Sequence, residues 1–135
     1  MLSHEKQQVF GRFARDLASL SKCTQKKVAA IALDRNGTQV YSIGLNGGPK
    51  GGIQCLCELD TKYGCVHAEA QCIAKATTLD DTKIMICTLS PCVTCATMII
   101  NTGFREFYYL DAWKDTTGLD LLELAGIPTY KIGGM

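Results

Sequence analysis

Between Lys83 and Ile132 the chain switches repeatedly between strand-like and helix-like patterning, and this alternation limits the possible folds more than any other feature. "KIMICTL" (83–89) is a short apolar run bounded by polar residues and Pro91, as a buried strand requires. "PCVTCATMIINTG" (91–103) then reads as a helix, with proline in its first turn and Gly103 beyond its end. "FREFYYL" (104–110) is a second strand, "GLDLLELAG" (118–126) a helix closed by Gly126, and "IPTYKI" (127–132) a last strand. Strands separated by helices of this length pair in parallel through right-handed crossovers.

The upstream half adds to the same sheet. Ser3 has the chemistry of an N-cap, and Val9, Phe10, Phe13, Leu17 and Leu20 follow at helical spacing, which predicts a first helix ending near Cys23. "VAAIAL" (28–33) and "TQVYSIGL" (38–45) flank Asn36-Gly37, a strong hairpin turn signal. A glycine-rich stretch, "NGGPKGGIQ" (46–54), leads into an irregular segment up to Val66, and "HAEAQCIAKA" (67–76) is helical by propensity. The order is therefore α, a β-hairpin, then α-β-α-β-α-β. It predicts an α/β fold, a three-layer αβα sandwich around a five-stranded mixed sheet. Polar ligands of such sheets gather at the carboxyl ends of strands. With 135 residues the chain is long enough for one domain and short for two, so residues 1–135 are expected to form a single domain.

Charge and cysteine content narrow the chemistry. A formal net charge of +1 gives no electrostatic reason to expect a long nucleic acid as partner, although a few local lysines would suffice for a small anion. The polar start, Met1 to Lys6, precedes no signal-like apolar run, and no stretch reaches membrane-spanning length. The expected compartment is the cytoplasm, or the host cytoplasm if the chain is viral. There, eight cysteines point to metal binding, chemistry or core filling rather than disulfides.

Pro91 to Cys95 falls where strand 83–89 passes into the next helix. Cys92 and Cys95 would share one face of its first turn, where the helix dipole favours thiolates. By itself this C-x-x-C pair suits a redox dithiol nearly as well as a metal site. "HAE", His67 to Glu69, breaks the tie, because crossover helices on adjacent strands bring their N-termini together. One imidazole and two thiolates can then converge. Three protein ligands with water in the fourth position is the open arrangement of catalytic zinc, whereas structural sites are closed by a fourth residue. Glu69 stands close enough to take that water's proton and return it to a leaving group without ligating. H-x-E followed by P-C-x-x-C is the signature of the zinc-dependent deaminases.

On these residues, together with "TLSPCVTCATMIINTG" (88–103), "GLNGGPKGG" (44–52), "DTKYGCVHAE" (60–69) and the tail "LDAWKD…LAGI", the chain resembles the cytidine/deoxycytidylate deaminase superfamily over nearly its whole length. The branch it looks most like is the deoxycytidylate (dCMP) deaminases. The resemblance implies zinc-dependent hydrolysis of dCMP to dUMP and ammonia, which supplies thymidylate synthesis. It implies that Asn46 hydrogen-bonds the sugar hydroxyl and that the Ala68 backbone N–H holds the pyrimidine carbonyl. Read from its own surroundings, Asn46 serves equally well as a turn residue before Gly47-Gly48.

A monophosphate needs a cation. Lys26 stands at a position where the family often has arginine, Gln25 occupies another such position, and Lys27, Lys50 and Lys114 are further candidates. For any one of them a solvated surface charge is the plainer reading. Trp113 could cover the base, or pack as core or at a subunit contact. Some relatives carry a second, structural zinc, and Cys23 and Cys55 match its ligand positions by motif. Cys57 and Cys65 are inferred to complete it; the other reading is buried thiols. Cys72 and Cys87 are read as core residues. The family also implies a homo-oligomer, commonly a hexamer, with dCTP and dTTP as effectors through a GYNG region where this chain has Leu45.

Rival readings are a deaminase of another base, an inactive zinc-stabilised binding module and a thiol–disulfide oxidoreductase. Free-cytidine enzymes usually carry cysteine where His67 stands. Transfer-RNA adenosine enzymes usually carry methionine where Thr94 stands.

Overall fold

The structure, a computed structural model, describes residues 1–48 and 64–134. Its elements are α1 (His4–Ala18), β1 (Ala29–Leu33), β2 (Val40–Leu45), α2 (Ala68–Lys75), β3 (Lys83–Leu89), α3 (Val93–Asn101), β4 (Phe104–Asp111), α4 (Thr117–Leu124) and β5 (Thr129–Lys131). The strands form one sheet in the order β2-β1-β3-β4-β5. The β1–β2 hairpin is antiparallel, and β1 also runs antiparallel to β3, with Ala30 opposite Cys87. β3, β4 and β5 are parallel, with Ile86 opposite Tyr108 and Tyr108 opposite Tyr130. The sheet is mixed, as the chain order requires.

Period-two alternation divides the central strands between two cores. Ala30, Ala32, Met85 and Cys87 face α2, α3 and α4, whereas Ile31, Leu33, Ile84 and Ile86 face α1. The four α1-side residues are fully buried, each contributing roughly 1.5–3 kcal/mol of transfer free energy. Three helices therefore cover one face and one helix the other, giving the αβα sandwich.

Helix α1 departs from expectation at its end. Ser3 does cap it, its hydroxyl accepting the Lys6 N–H, but the helix stops at Ala18 rather than near Cys23. The Ser19 hydroxyl donates to the Asp16 carbonyl, and the chain tightens into i→i+3 bonds, Leu20 to Leu17 and Ser21 to Ala18. Small residues make the contact with the sheet: Gly11, Ala14 and Ala18 are buried alongside Leu17, while Val9, Phe13 and Leu20 are exposed. Of the apolar residues that marked the helix, Leu17 is buried and Phe10 packs against the same core.

Helix α3 also begins later than its proline suggested. Pro91 lies before the N-cap Cys92, outside the first turn, because the chain remains extended at Cys92 (φ −75°, ψ 170°). At the other end of α3, the Lys83 ammonium donates to the Thr102 carbonyl and sits over the Phe104 ring.

Candidate active site

Two helix starts meet at the carboxyl end of β3. His67 is the N-cap of α2 and Cys92 the N-cap of α3. The His67 ring makes no capping bond, so its nitrogens remain available as ligands. The Cys92 sulfur accepts the Cys95 N–H at 3.4 Å, which fixes the C-x-x-C turn.

Two glycines permit this approach. A Cβ on Gly44 in β2 would lie 2.2 Å from the Ala68 carbonyl oxygen, so only glycine lets α2 start so close to the sheet. A Cβ on Gly118 would lie 2.1 Å from the Pro91 carbonyl oxygen, where α4 seats the loop entering α3.

The outcome is a compact donor set. His67 Nδ1 lies 3.2 Å from Cys95 Sγ and 3.6 Å from Cys92 Sγ, and the three ligand atoms are all within 4.8 Å of one another. Tetrahedral zinc with ordinary Zn–N and Zn–S bonds sets such donors about 3.5 Å apart, so this imidazole and two thiols fit the ion. Burial pushes the Cys95 thiol well above its ordinary value, and the neighbouring Glu69 carboxylate adds to the rise. A redox thiol requires the opposite shift. A metal-bound cysteine must also lose its proton, so the spacing of the three donors, and not this shift, is what favours a metal ion here.

Glu69, the second residue of α2, is 5% exposed. Burial raises its carboxyl to about 7, against the opposing pull of its own backbone N–H and the Cys95 thiol. A cavity of about 340 Å³ opens in front of it. His67, Ala68, Glu69 and Cys92 line it from the two helix starts, its floor, and Asn46, Lys26 and Trp113 line it from adjoining loops, its mouth; His67 is itself exposed and Asn46 buried. The Lys26 ammonium lies 5.2 Å from the Trp113 ring centroid, and the Trp113 backbone N–H donates to the Ser90 hydroxyl at 2.7 Å.

Other expected residues lie apart or in the wall. Lys27 lines a smaller hollow of about 180 Å³ with Arg15 and Lys26, and its ammonium donates to the Ser21 carbonyl. Lys114 is exposed and lines neither space. Cys23 and Cys65 form a small buried cluster in the cavity wall; Cys55, Cys57 and Lys50 lie outside the described residues. Cys72 and Cys87 are core residues, with thiols that burial raises, Cys72 to about 11. Leu45 packs on the α1 side of the sheet, away from the cavity.

Sequence reading passed over Ser21, Ser90, Gly44 and Gly118. Ser90 adjoins the motif and Gly44 opens a quoted run, but nothing local marked their contacts. Ser21 lies in an irregular loop with no pattern to signal it.

A histidine and two cysteines on adjacent helix starts, with a buried carboxylate beside them at the end of a mixed sheet, define a zinc-site αβα protein of hydrolytic type. Residues 4–111 match the family model described as the cytidine and deoxycytidylate deaminase zinc-binding region, and the chain belongs to that family. It is 29% identical over 135 residues to the deoxycytidylate deaminase of Schizosaccharomyces pombe, an alignment covering 87% of this chain and 41% of that protein. It is 27% identical over 161 residues to the deoxycytidylate deaminase of Enterobacteria phage T4, covering 83% and 82% respectively. The chain thus spans about two fifths of the fission-yeast relative and most of the phage one. Among solved structures, the dCMP deaminase of cyanophage S-TIM5 in complex with dCMP and dUMP superposes with a TM-score of 0.83 at 29% identity, covering 94% of this chain and 96% of that one.

Proposed function

We propose that the chain catalyses hydrolytic deamination of dCMP to dUMP and ammonia as a single domain. The observation that carries this is the convergence of His67, Cys92 and Cys95 beside buried Glu69, on the floor of a cavity whose mouth holds Lys26. The cyanophage relative that superposes on the chain was captured with dCMP and dUMP.

Zinc held by His67, Cys92 and Cys95 supplies, when bound, an acidified water at neutral pH. Glu69 works beside it as the proton carrier. Its carboxylate takes a proton from the attacking water and delivers it to the pyrimidine ring nitrogen; it then takes the proton of the new C4 hydroxyl and gives it to the amine, so that ammonia leaves as the C4 carbonyl forms. Burial of Glu69 limits bulk water at its carboxyl, so the proton stays on this route. The Ala68 N–H, unpaired within α2 by its position in the first turn, holds the pyrimidine carbonyl. Asn46 binds the sugar hydroxyl, Lys26 the 5′-phosphate, and Trp113 covers the base.

Further parts of the reading follow the family resemblance. Cys23 and Cys65, buried together, supply half of a closed structural zinc site that Cys55 and Cys57 complete. The protein is a cytoplasmic homo-oligomer, a hexamer by resemblance; its response to dCTP and dTTP turns on Leu45, which stands where the family's GYNG region has tyrosine, so that unregulated activity and altered regulation are both open. No helix among the described residues is long and apolar enough to cross a membrane.

The test is ammonia release from zinc-loaded protein given dCMP and deoxycytidine side by side. Turnover of dCMP with little of deoxycytidine is expected. Equal turnover of both would remove Lys26 from its role. No turnover with zinc bound, and with dCTP and magnesium added, would overturn the reading.

A further inference from the structure

We infer that Ser21 is a positioning residue, whose hydroxyl holds the Asn46 side chain so that an N–H donor, and no acceptor, is presented to the cavity. That polarity selects a hydroxyl oxygen on the ligand's sugar as acceptor. The inference rests on the nucleotide reading above for the identity of that sugar.

The hydrogen bonds leave little freedom. Ser21 is 2% exposed and Asn46 8%. The Val28 N–H donates to Asn46 Oδ1 at 2.8 Å, and Asn46 Nδ2 donates to the Lys26 carbonyl at 2.6 Å. A backbone N–H only donates and a carbonyl only accepts, so these two contacts decide which end of the amide is oxygen. The Ser21 hydroxyl adds a third point. It lies 2.7 Å from Asn46 Oδ1 and 2.7 Å from the Asn46 carbonyl oxygen, and it accepts the Cys23 N–H at 3.2 Å.

Oδ1 has two lone pairs; the Val28 N–H fills one, and the Ser21 hydroxyl, whose single proton is shared with the Asn46 carbonyl oxygen, covers the other. Nδ2 has two protons, and Lys26 takes one. The remaining N–H has no acceptor among the described residues, and Asn46 lines the cavity. Without the serine hydroxyl, Oδ1 regains an open lone pair and the amide plane loses its third anchor. A ligand donor or a water then competes for the same place.

A purely structural serine would affect every substrate alike. The discriminating measurement is the ratio of kcat/KM for dCMP over its 3′-deoxy analogue, in zinc-loaded protein of verified metal content. The unaltered protein is expected to prefer dCMP by about ten-fold, the scale of one neutral hydrogen bond. In Ser21→Ala the preference falls to about two-fold, and Ser21→Thr, which keeps the hydroxyl, restores it. Should Ser21→Ala fail to fold, Ser21→Cys, of similar size and with a weaker donor, takes its place, with an intermediate ratio expected.

Loss of activity on both substrates with the ratio unchanged would overturn the inference. If the unaltered protein does not turn over dCMP, the nucleotide reading fails separately. Side-chain amide exchange of Asn46 by nitrogen-15 NMR then decides for Ser21: faster exchange in Ser21→Ala supports it, and an unchanged rate sinks it.

Discussion

The floor and the mouth of the cavity are built by different means. The floor residues His67, Ala68, Glu69 and Cys92, and the third candidate ligand Cys95, all sit on the first turns of two helices, whose positions follow from sheet order and close contact at Gly44 and Gly118. The mouth residues Lys26, Asn46 and Trp113 lie on or beside loops, tied by side-chain hydrogen bonds through Ser21, Asn46 itself and Ser90. Backbone packing thus sets the chemistry, and a few polar tethers set recognition. A change to the floor should lower turnover on any substrate, whereas a change at the mouth should alter which substrate is used.

Glu69→Gln tests the floor most severely. The amide keeps the size of the side chain and cannot carry the proton. Zinc content is expected to stay at one ion per His67–Cys92–Cys95 site, with kcat falling about 1,000-fold or more. Near-normal turnover by a zinc-loaded variant would take Glu69 out of the proton route.

Gly44→Ala tests whether close packing sets the floor. The added carbon would meet the Ala68 carbonyl oxygen at 2.2 Å and the Cys72 nitrogen at 2.5 Å, both backbone atoms that move only with α2. Overpacking of this kind costs about 3 kcal/mol. The expected result is a markedly lower melting temperature with weaker zinc retention, because His67 begins the displaced helix. Unchanged values for both would show that α2 tolerates a shift.

The same division explains what was legible from the chain. β3 falls at Lys83–Leu89, as its apolar run between polar residues indicated, and the alternation that follows fixes the parallel pairing. His67, Glu69, Cys92 and Cys95 were readable because each pair lies within one helical turn, and topology alone joins the two. Ser21 and Asn46 are 25 residues apart and meet only through the path of a loop, which no periodicity encodes. The inner face of α1 was not legible for a related reason: close approach of a helix to a sheet favours Gly11, Ala14 and Ala18 over the bulkier Val9 and Phe13, and hydrophobicity does not report clearance.

At the mouth, Lys26→Ala is expected to raise KM for dCMP about ten-fold and to leave deoxycytidine nearly unaffected. Lys26 is exposed, so its attraction for a phosphate is worth only about 1 kcal/mol in water. Added salt should shrink the difference, since screening acts on an exposed pair. An equal loss on both substrates would instead mean that Lys26 acts by holding Trp113.

Tyr41→Phe removes a tether that faces neither floor nor mouth, and so separates local hydrogen bonding from recognition. The Tyr41 hydroxyl donates to Asp80 Oδ2 at 2.7 Å, joining β2 to the turn before β3. That bond, with the Thr82 contacts, lowers the Asp80 carboxyl from its ordinary 3.8, and the Asp80 carboxylate in turn raises the Tyr41 hydroxyl from 10.0. A depressed acid stabilises the fold above its unfolded value and loses that contribution as pH falls through the folded one. A raised phenol does so below its unfolded value and loses it as pH rises through the folded one. The stability difference between Tyr41→Phe and the unaltered protein should therefore be full between pH 3.8 and 10.0 and shrink on either side. It should be small throughout, because both groups are close to solvent. Thermal melts across this range read it directly, and kcat and KM for dCMP should not move. A changed KM would mean that tethers distant from the cavity also shape recognition, and the division between floor and mouth would have to be redrawn to include the β2 edge.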